Sequence, residues 1–148
     1  ADHSSLQTLA EFMSQLKQDV YNQFPRHPIS FTLTNGDNSY RFCIPNILNR
    51  AIFNIISNAV KAYKETISIK IDYINDSLTI SVQDDGPGIP VSIINELNSD
   101  KNSLNLQKKG LGLFLTQTII NKLNGTIAIN TSKGTLVDIS IPIIRETE

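Results

Sequence analysis

Three short runs in this chain hold residues whose types and spacing suit them to chemistry. The first is Asp84-Asp85-Gly86-Pro87-Gly88-Ile89, which follows an alternating stretch in which Leu78, Ile80 and Val82 share one face. Strand side chains alternate with a period of two, so Asp84 joins that core-facing set and Asp85 points away. A carboxylate aimed at a core is costly unless something donates hydrogen bonds to it. The glycines let backbone approach a ligand closely. The run therefore reads as a pocket floor that accepts from a donor such as an adenine amino group. An ordinary turn is the other reading, since Asp-Gly and Pro-Gly are common turn pairs.

The second run lies in a helical pattern over Pro45–Ala62, with Pro45 suited to a first helical turn. Ile47, Leu48, Ala51, Ile52, Ile55, Ile56 and Ala59 form a broad apolar stripe. Asn54, Asn58 and Lys61 stand at i, i+4 and i+7 and make a polar ridge beside it. Asparagine is a poor helix former, and here two lie one turn apart. One reading is a solvated face. The other is a ridge of amide oxygens for a hard cation, followed by a lysine for phosphate; Mg²⁺ takes oxygen ligands and keeps waters and substrate phosphates.

The third run is Gly110-Leu111-Gly112-Leu113, preceded by Lys108 and Lys109 and opening a helical segment. Backbone N–H groups at a helix start attract anions, and glycines let phosphate oxygens reach them. The run is neither a P-loop, lacking the Gly-Lys-Ser/Thr ending, nor a dinucleotide fingerprint. Thr135, finally, is in phase with Val137, Ile139 and Ile141, so its hydroxyl faces inward, where it and Asp84 can meet over one ligand.

The elements that position these runs follow from periodicity. Leu6, Leu9, Phe12, Met13, Leu16 and Val20 predict a helix over Ser5–Tyr21, broken by Phe24-Pro25-Arg26-His27-Pro28. Strands are expected at Ile29–Thr34 and Tyr40–Ile44 around the turn cluster 35–38, and at Ile67–Tyr73 and Leu78–Val82 joined by Asn75-Asp76. A short helix is expected over Val91–Leu97, then a polar loop from Asn98 to Lys109. The helix opened by Gly110 ends near Asn124-Gly125, a C-cap pair. A hairpin joins Thr126–Thr131 to Thr135–Ile141 through Ser132-Lys133-Gly134. Alternating strands leave one sheet face polar and one covered. The fold class expected is α/β (α+β): a two-layer sandwich, a mixed and mostly antiparallel sheet with about three helices on one face.

Composition sets outer bounds. A chain of 148 residues that is 40% hydrophobic and 18% charged suits one soluble domain with a real core. A formal net charge of −1 points to neither nucleic acid nor membrane. Cys43 is the one cysteine, so no internal disulfide forms. No apolar run reaches the roughly 18 residues of a membrane span. The chain starts at Ala1 without Met and reads as a piece of something longer.

Taken together and in this order, the runs resemble the Bergerat-fold (GHKL) ATP-binding superfamily, which includes type II topoisomerase ATPase subunits, large heat-shock chaperone ATPases, mismatch-repair ATPases and bacterial sensor histidine kinases. Asn54-Ile-Ile-Ser-Asn58-Ala-Val-Lys61 looks like its N box, Asp84-Asp85-Gly86-Pro87-Gly88 its G1 box, Gly110-Leu-Gly-Leu113 its G2 box, and Gly134-Thr135 its late Gly-Thr pair. The resemblance covers about residues 29–142. It implies that Asn58 coordinates Mg²⁺, that Asn54 and Lys61 contact phosphates or the ion, and that these three carry the catalytic role. It implies that Asp84 accepts from the adenine amino group with help from Thr135, and that Gly86 and Gly88 shape the base pocket. Lys109, Gly110, Leu111, Gly112 and Leu113 are placed at the phosphates, and Ile89 is placed at the nucleotide.

Members that hydrolyse ATP carry a Glu general base four residues before the Mg²⁺ asparagine. This chain has Asn54 there, as histidine kinases do. The resemblance therefore narrows to the catalytic and ATP-binding domain of a sensor histidine kinase, which passes the γ-phosphoryl of ATP to a histidine. Its cofactors are then ATP and Mg²⁺. Its partners are the histidine-bearing dimerisation domain of the same kinase and a response-regulator receiver domain, with no nucleic acid and no direct membrane contact. The expected setting is cytoplasmic, with a parent protein at the bacterial inner membrane.

On this reading 1–24 is a linker helix from a missing dimerisation and phosphoacceptor domain, 25–144 the catalytic domain, and 145–148 a tail. His3 and His27 lack the sequence that surrounds a phosphoacceptor. The chain departs from the family at Lys108, where a glycine is usual, in the absence of any aromatic from Val91 to Lys109, and in Tyr63 lying one residue late after the N-box lysine. These departures motivate a second reading: a degenerate kinase-like module acting through protein contacts, with weak or no nucleotide binding.

Overall fold

The computed structural model of the chain describes residues 4–35, 39–90, 92, 95 and 113–146. Its architecture follows from the isoleucine-rich strands. β4 (Ile67–Ile74) and β5 (Ser77–Asp84) alternate without a break and pair antiparallel. Asn75 and Asp76 connect them with φ of 53° and 62°. Two successive left-handed residues make the turn that matches strand twist, and Asn and Asp tolerate that region. β7 (Thr135–Pro142) pairs with β5 on its other edge, and β6 (Thr126–Asn130) pairs with β7. β2 (Ile29–Thr34) adds in parallel to β4, giving the order β2-β4-β5-β7-β6.

The register stacks the apolar side chains in rows. Ile71, Ile80, Ile139 and Ile127 form one row, and Ile69, Val82, Val137 and Ile129 the next. The third row is Ile67, Asp84 and Thr135. There the apolar stack ends in a polar pair. The opposite face carries Lys70, Thr79, Ser81, Asp138 and Ser140, with Thr79 and Ser81 hydrogen-bonded across to Ser140 and Asp138. The expected polar face and covered face are both present.

Among the described residues, three helices cover the apolar face. α1 (Leu9–Gln23) buries Leu9, Phe12, Leu16 and Val20. α2 (Leu48–Ala62) buries Leu48, Ala51, Ile52, Ile55, Ile56 and Ala59, the stripe read from the sequence except Ile47, which stands exposed at the N-cap. α3 (Leu113–Lys122) buries Leu113, Thr116, Ile119 and Ile120. It ends in a Schellman motif: Gly125 N–H donates to Ile120 O at 2.9 Å and Asn124, at φ 60°, N–H to Asn121 O at 3.1 Å. Apart from Leu113, which packs with Ile89, the apolar side chains of these helices and of the inner sheet face form one cluster of buried hydrophobics.

Three expectations need correction. Ser5–Thr8 is not helical: β1 (Ser4–Thr8) pairs with β3 (Arg41–Pro45), and the helix starts at Leu9. Thr8 caps it, accepting from Glu11 N–H at 3.1 Å while the Glu11 carboxylate accepts from Thr8 N–H at 2.9 Å. That capping box outweighs the helical spacing of Leu6. Pro45 closes β3 rather than opening a helix, because its strand is held between β1 and β8 (Ile144–Arg145) in a second, three-stranded sheet. α2 begins at Leu48 instead, with Ile47 at its N-cap and no side-chain cap. The strands flanking the 35–38 cluster also part, β2 into the five-stranded sheet and β3 into the small one. Of the helix expected over Val91–Leu97, Ser92 and Asn95 are helical and the rest lies outside the described residues, as do Lys108 to Gly112.

Candidate functional site

The third row of the sheet forms the floor of a cavity. Asp84 is 4% exposed and Thr135 7%, and they are direct antiparallel partners. The strand phase read from the sequence is therefore correct: Asp84 faces in. Its carboxylate accepts from Gly86 N–H at 2.8 Å. Burial raises its pKa; the backbone groups of Gly86 and Thr135 pull it back down in part, and the neighbouring Asp85 charge adds to the rise. Each carboxylate oxygen can accept more than one hydrogen bond. Asp84 thus presents a buried acceptor to whatever enters the cavity.

Ile55, Asn58, Ala59 and Ala62 of α2 line one wall, and Gly88, Ile89, Pro90 and Leu113 close the side toward α3. Val82, Asp84, Thr135 and Val137 supply the floor. The volume of this partly open slot is about 110 Å³. A dry cavity of about 150 Å³ takes up benzene, so this slot, which is partly open, is of the order of a flat ring. An apolar slot with one buried acceptor at its base is suited to a flat heteroaromatic ring bearing an amino group.

Two glycines are required by close approach. A Cβ on Gly86 would overlap the Ala62 carbonyl, where the turn tucks under the end of α2. A Cβ on Gly134 would overlap the Asp84 carbonyl, and its φ is +73°. The Gly134-Thr135 pair is thus placed against the back of Asp84 by a contact only glycine permits. Gly88 also has a left-handed φ, +87°.

Of the sequence-read residues, the structure brings together Asn58, Asp84, Gly88, Ile89, Leu113 and Thr135 around one cavity, with Gly86 behind it. Asn54 and Lys61 stand on the same helix but do not line it. Lys61 is exposed. Asn54 holds its Nδ2 buried, with no hydrogen-bond partner among the described residues. The family roles placed on Lys109, Gly110, Leu111 and Gly112 lie outside the described residues. Leu113 packs with Ile89, Phe114 and Ile129. Tyr63, the late aromatic, hydrogen-bonds His27 Nδ1 through its hydroxyl at 2.9 Å.

Sequence reasoning missed the part played by Asp85. It faces away from the core as expected, but its carboxylate accepts from the backbone N–H of Lys64 (2.7 Å), Glu65 (3.0 Å) and Thr66 (3.3 Å). Those backbone donors, Glu65 first, hold its carboxyl below the ordinary range. No local sequence signal announces contacts that span about twenty residues.

Among the described residues no three of His, Cys, Asp and Glu cluster to hold a metal. No helix among them is long and apolar enough to cross a membrane.

Comparison with known proteins gives a consistent answer. The family model described as "Histidine kinase-, DNA gyrase B-, and HSP90-like ATPase" matches residues 43–145. Sporulation kinase A of Bacillus subtilis (strain 168) is 33% identical over 101 residues, 66% of this chain and 17% of that protein. Sensor protein DegM of Bacillus sp. (strain B21-2) is 27% identical over 107 residues, 70% of this chain and 29% of that protein. The chain therefore spans less than a third of either relative. The solved catalytic domain of the histidine kinase ThkA matches with a TM-score of 0.74 at 22% identity, covering 94% of this chain and 95% of that one. The mycobacterial sensor histidine kinase MprB matches at 0.69 and 18% identity, covering 97% and 99%.

Proposed function

We propose that this chain, which belongs to the histidine kinase-, DNA gyrase B- and HSP90-like ATPase family, is the ATP-binding catalytic domain of a sensor histidine kinase. The observation that carries the reading is the buried Asp84–Thr135 pair at the floor of an apolar slot. An adenine ring fits that slot with its amino group donating to the Asp84 carboxylate. Thr135 contributes its hydroxyl beside it. Gly86 and Gly88 keep the turn close to the base. Ile89 and Leu113 cover one side of it.

The triphosphate then runs toward α2 and the start of α3. Asn54 supports this, since a buried Nδ2 without a partner among the described residues is a donor suited to a phosphate oxygen. Lys61, exposed at the helix end, adds positive charge. Lys109, Gly110, Leu111 and Gly112 are assigned to the phosphates by the family motif alone. Asn58 would hold Mg²⁺ through its amide oxygen. One such ligand suits an ion that keeps waters and shares substrate phosphates. When bound, the ion would neutralise charge on the phosphates.

Position 54 bears on the class of reaction. An amide takes up no proton near neutral pH, so Asn54 is no general base for water. Phosphoryl transfer depends mainly on positioning and charge neutralisation. A histidine acceptor brings its own nucleophilic nitrogen. The partners on this reading are a histidine-bearing dimerisation domain and a response-regulator receiver domain. Residues 25–144 would form the body of the catalytic domain, with β1 paired to β3 and α1 packed into the same core rather than standing apart as a linker. The formed cavity with an acid at its base favours this reading over a module without nucleotide.

Radiolabelled ATP tests the transfer. The chain is mixed with the histidine-bearing helical domain of a related kinase and γ-labelled ATP. Acid-labile label on the acceptor domain supports the proposal. ATP hydrolysis by the isolated chain with no transfer would place it among the hydrolytic members instead.

A further inference from the structure

Asp84 sits between two residues that face the opposite way, and both are engaged with backbone. Gln83 Nε2 donates to Asp84 O and Lys133 O, each at 3.0 Å, and to Thr135 O at 3.5 Å. All three partners are carbonyls, which fixes the amide's orientation. Asp85 does the converse on the other side, accepting from the N–H groups of Lys64, Glu65 and Thr66. Gln83 therefore ties the β6–β7 turn, and with it Gly134 and Thr135, to the end of β5. Asp85 ties the segment after α2, and with it Ala62, to the turn after β5. Thr135 on the floor and Ala62 on the α2 wall both line the cavity, as Asp84 does.

We propose that Gln83 and Asp85 are the positioning residues of the base pocket, fixing from outside the two connecting segments next to Thr135 and Ala62, which line it. The inference deepens the proposed function and rests on its assignment of Asp84 and Thr135 to the base. The physical reason is preorganisation. A slot that reads one amino group needs its acceptor and its walls held before the ligand arrives, and otherwise ordering them costs affinity on binding. Neither side chain faces the cavity, so each acts through Asp84, Thr135 and Ala62. The alternation of the strand places both clamps and the acceptor on three consecutive residues.

The test is calorimetric titration with ATP and with ITP, whose base carries an oxygen where adenine has its amino group. The wild-type chain prefers ATP. Gln83→Ala and Asp85→Ala each lower ATP affinity about fivefold, the loss expected from about one net hydrogen bond. Each also shrinks the ATP-over-ITP ratio. A residue with a merely structural role leaves that ratio unchanged.

Ser81→Ala, which removes the hydrogen bond to Asp138 on the same sheet face, is the control and keeps both affinity and ratio. Gln83→Lys restores a donor and recovers the ratio, which keeps the proposal testable should Gln83→Ala not fold. Folded Gln83→Ala and Asp85→Ala chains with the wild-type ratio would overturn the clamp while leaving the base assignment intact. A wild-type chain that binds ATP and ITP equally would instead refute the base assignment, and the clamp with it.

Discussion

Replacing Asp84 by asparagine separates function from stability at one residue. In the fold, Asp84 is 4% exposed and one carboxylate oxygen is taken by Gly86 N–H at 2.8 Å. The introduced amide can keep that bond through its own oxygen, which turns its NH2 toward the position where an adenine amino group arrives. Two donors then meet. The loss is that of a hydrogen bond to a charged acceptor, about 1.5–3 kcal/mol, or roughly 10- to 150-fold in ATP affinity.

Stability moves the other way. Burial raises the Asp84 carboxyl above its usual range, which for aspartate is roughly 3.9. Between that value and the raised one the folded chain binds more protons than the unfolded chain, so stability falls as pH rises through the window. Above it, the charged Asp84 is a net cost to the empty fold, and Asp84→Asn removes that cost. The variant therefore keeps or gains melting temperature at pH 7 while losing ATP, and its stability lacks the decline across that window. Calorimetric titration gives the affinity, and thermal unfolding at several pH values gives the rest. ATP affinity within about twofold of wild type, against the tenfold or more expected, would refute the role of Asp84. A large fall in melting temperature would refute the account of its burial.

Other perturbations address the remaining parts of the account. Asn58→Ala should leave ATP binding without its Mg²⁺ dependence, measured by titration with and without the ion. Gly134→Ala places a Cβ against the Asp84 carbonyl at a φ of +73°; it should cost at least the roughly 1–2 kcal/mol of a left-handed non-glycine residue and weaken ATP binding in the same titration. Thr8→Ala removes the capping box of α1 and should cost about 1 kcal/mol, roughly 2–4 °C in melting temperature, with ATP affinity unchanged.

The site is legible in the sequence where function depends on strand phase. Period-two alternation puts Asp84 and Thr135 on the inner face without any knowledge of pairing, and the register then sets them side by side. The α2 stripe is equally readable, because six apolar positions at helical spacing dictate which face is buried. The start of α1 is obscured because Leu6 falls in helical phase with Leu9 and Phe12. The Thr8–Glu11 pair is the signal that corrects it, a threonine followed three residues later by glutamate.

Other features have no local signal. Pro45 reads as a helix start until its strand is known to pair with β1 and β8, which lie about 40 and 100 residues away in the chain. Gln83 and Asp85 look like ordinary solvent-facing residues. Their roles depend on backbone groups about 20 and 50 residues distant, and only the assembled fold brings those close.

The central claim is that this chain holds ATP in the slot above Asp84 with a metal ion at its phosphates. The most direct test is titration of the chain with a non-hydrolysable ATP analogue in the calorimeter, with and without Mg²⁺. Saturable binding at one site, tightened by Mg²⁺, is the predicted result. No binding at millimolar nucleotide in either condition would contradict it.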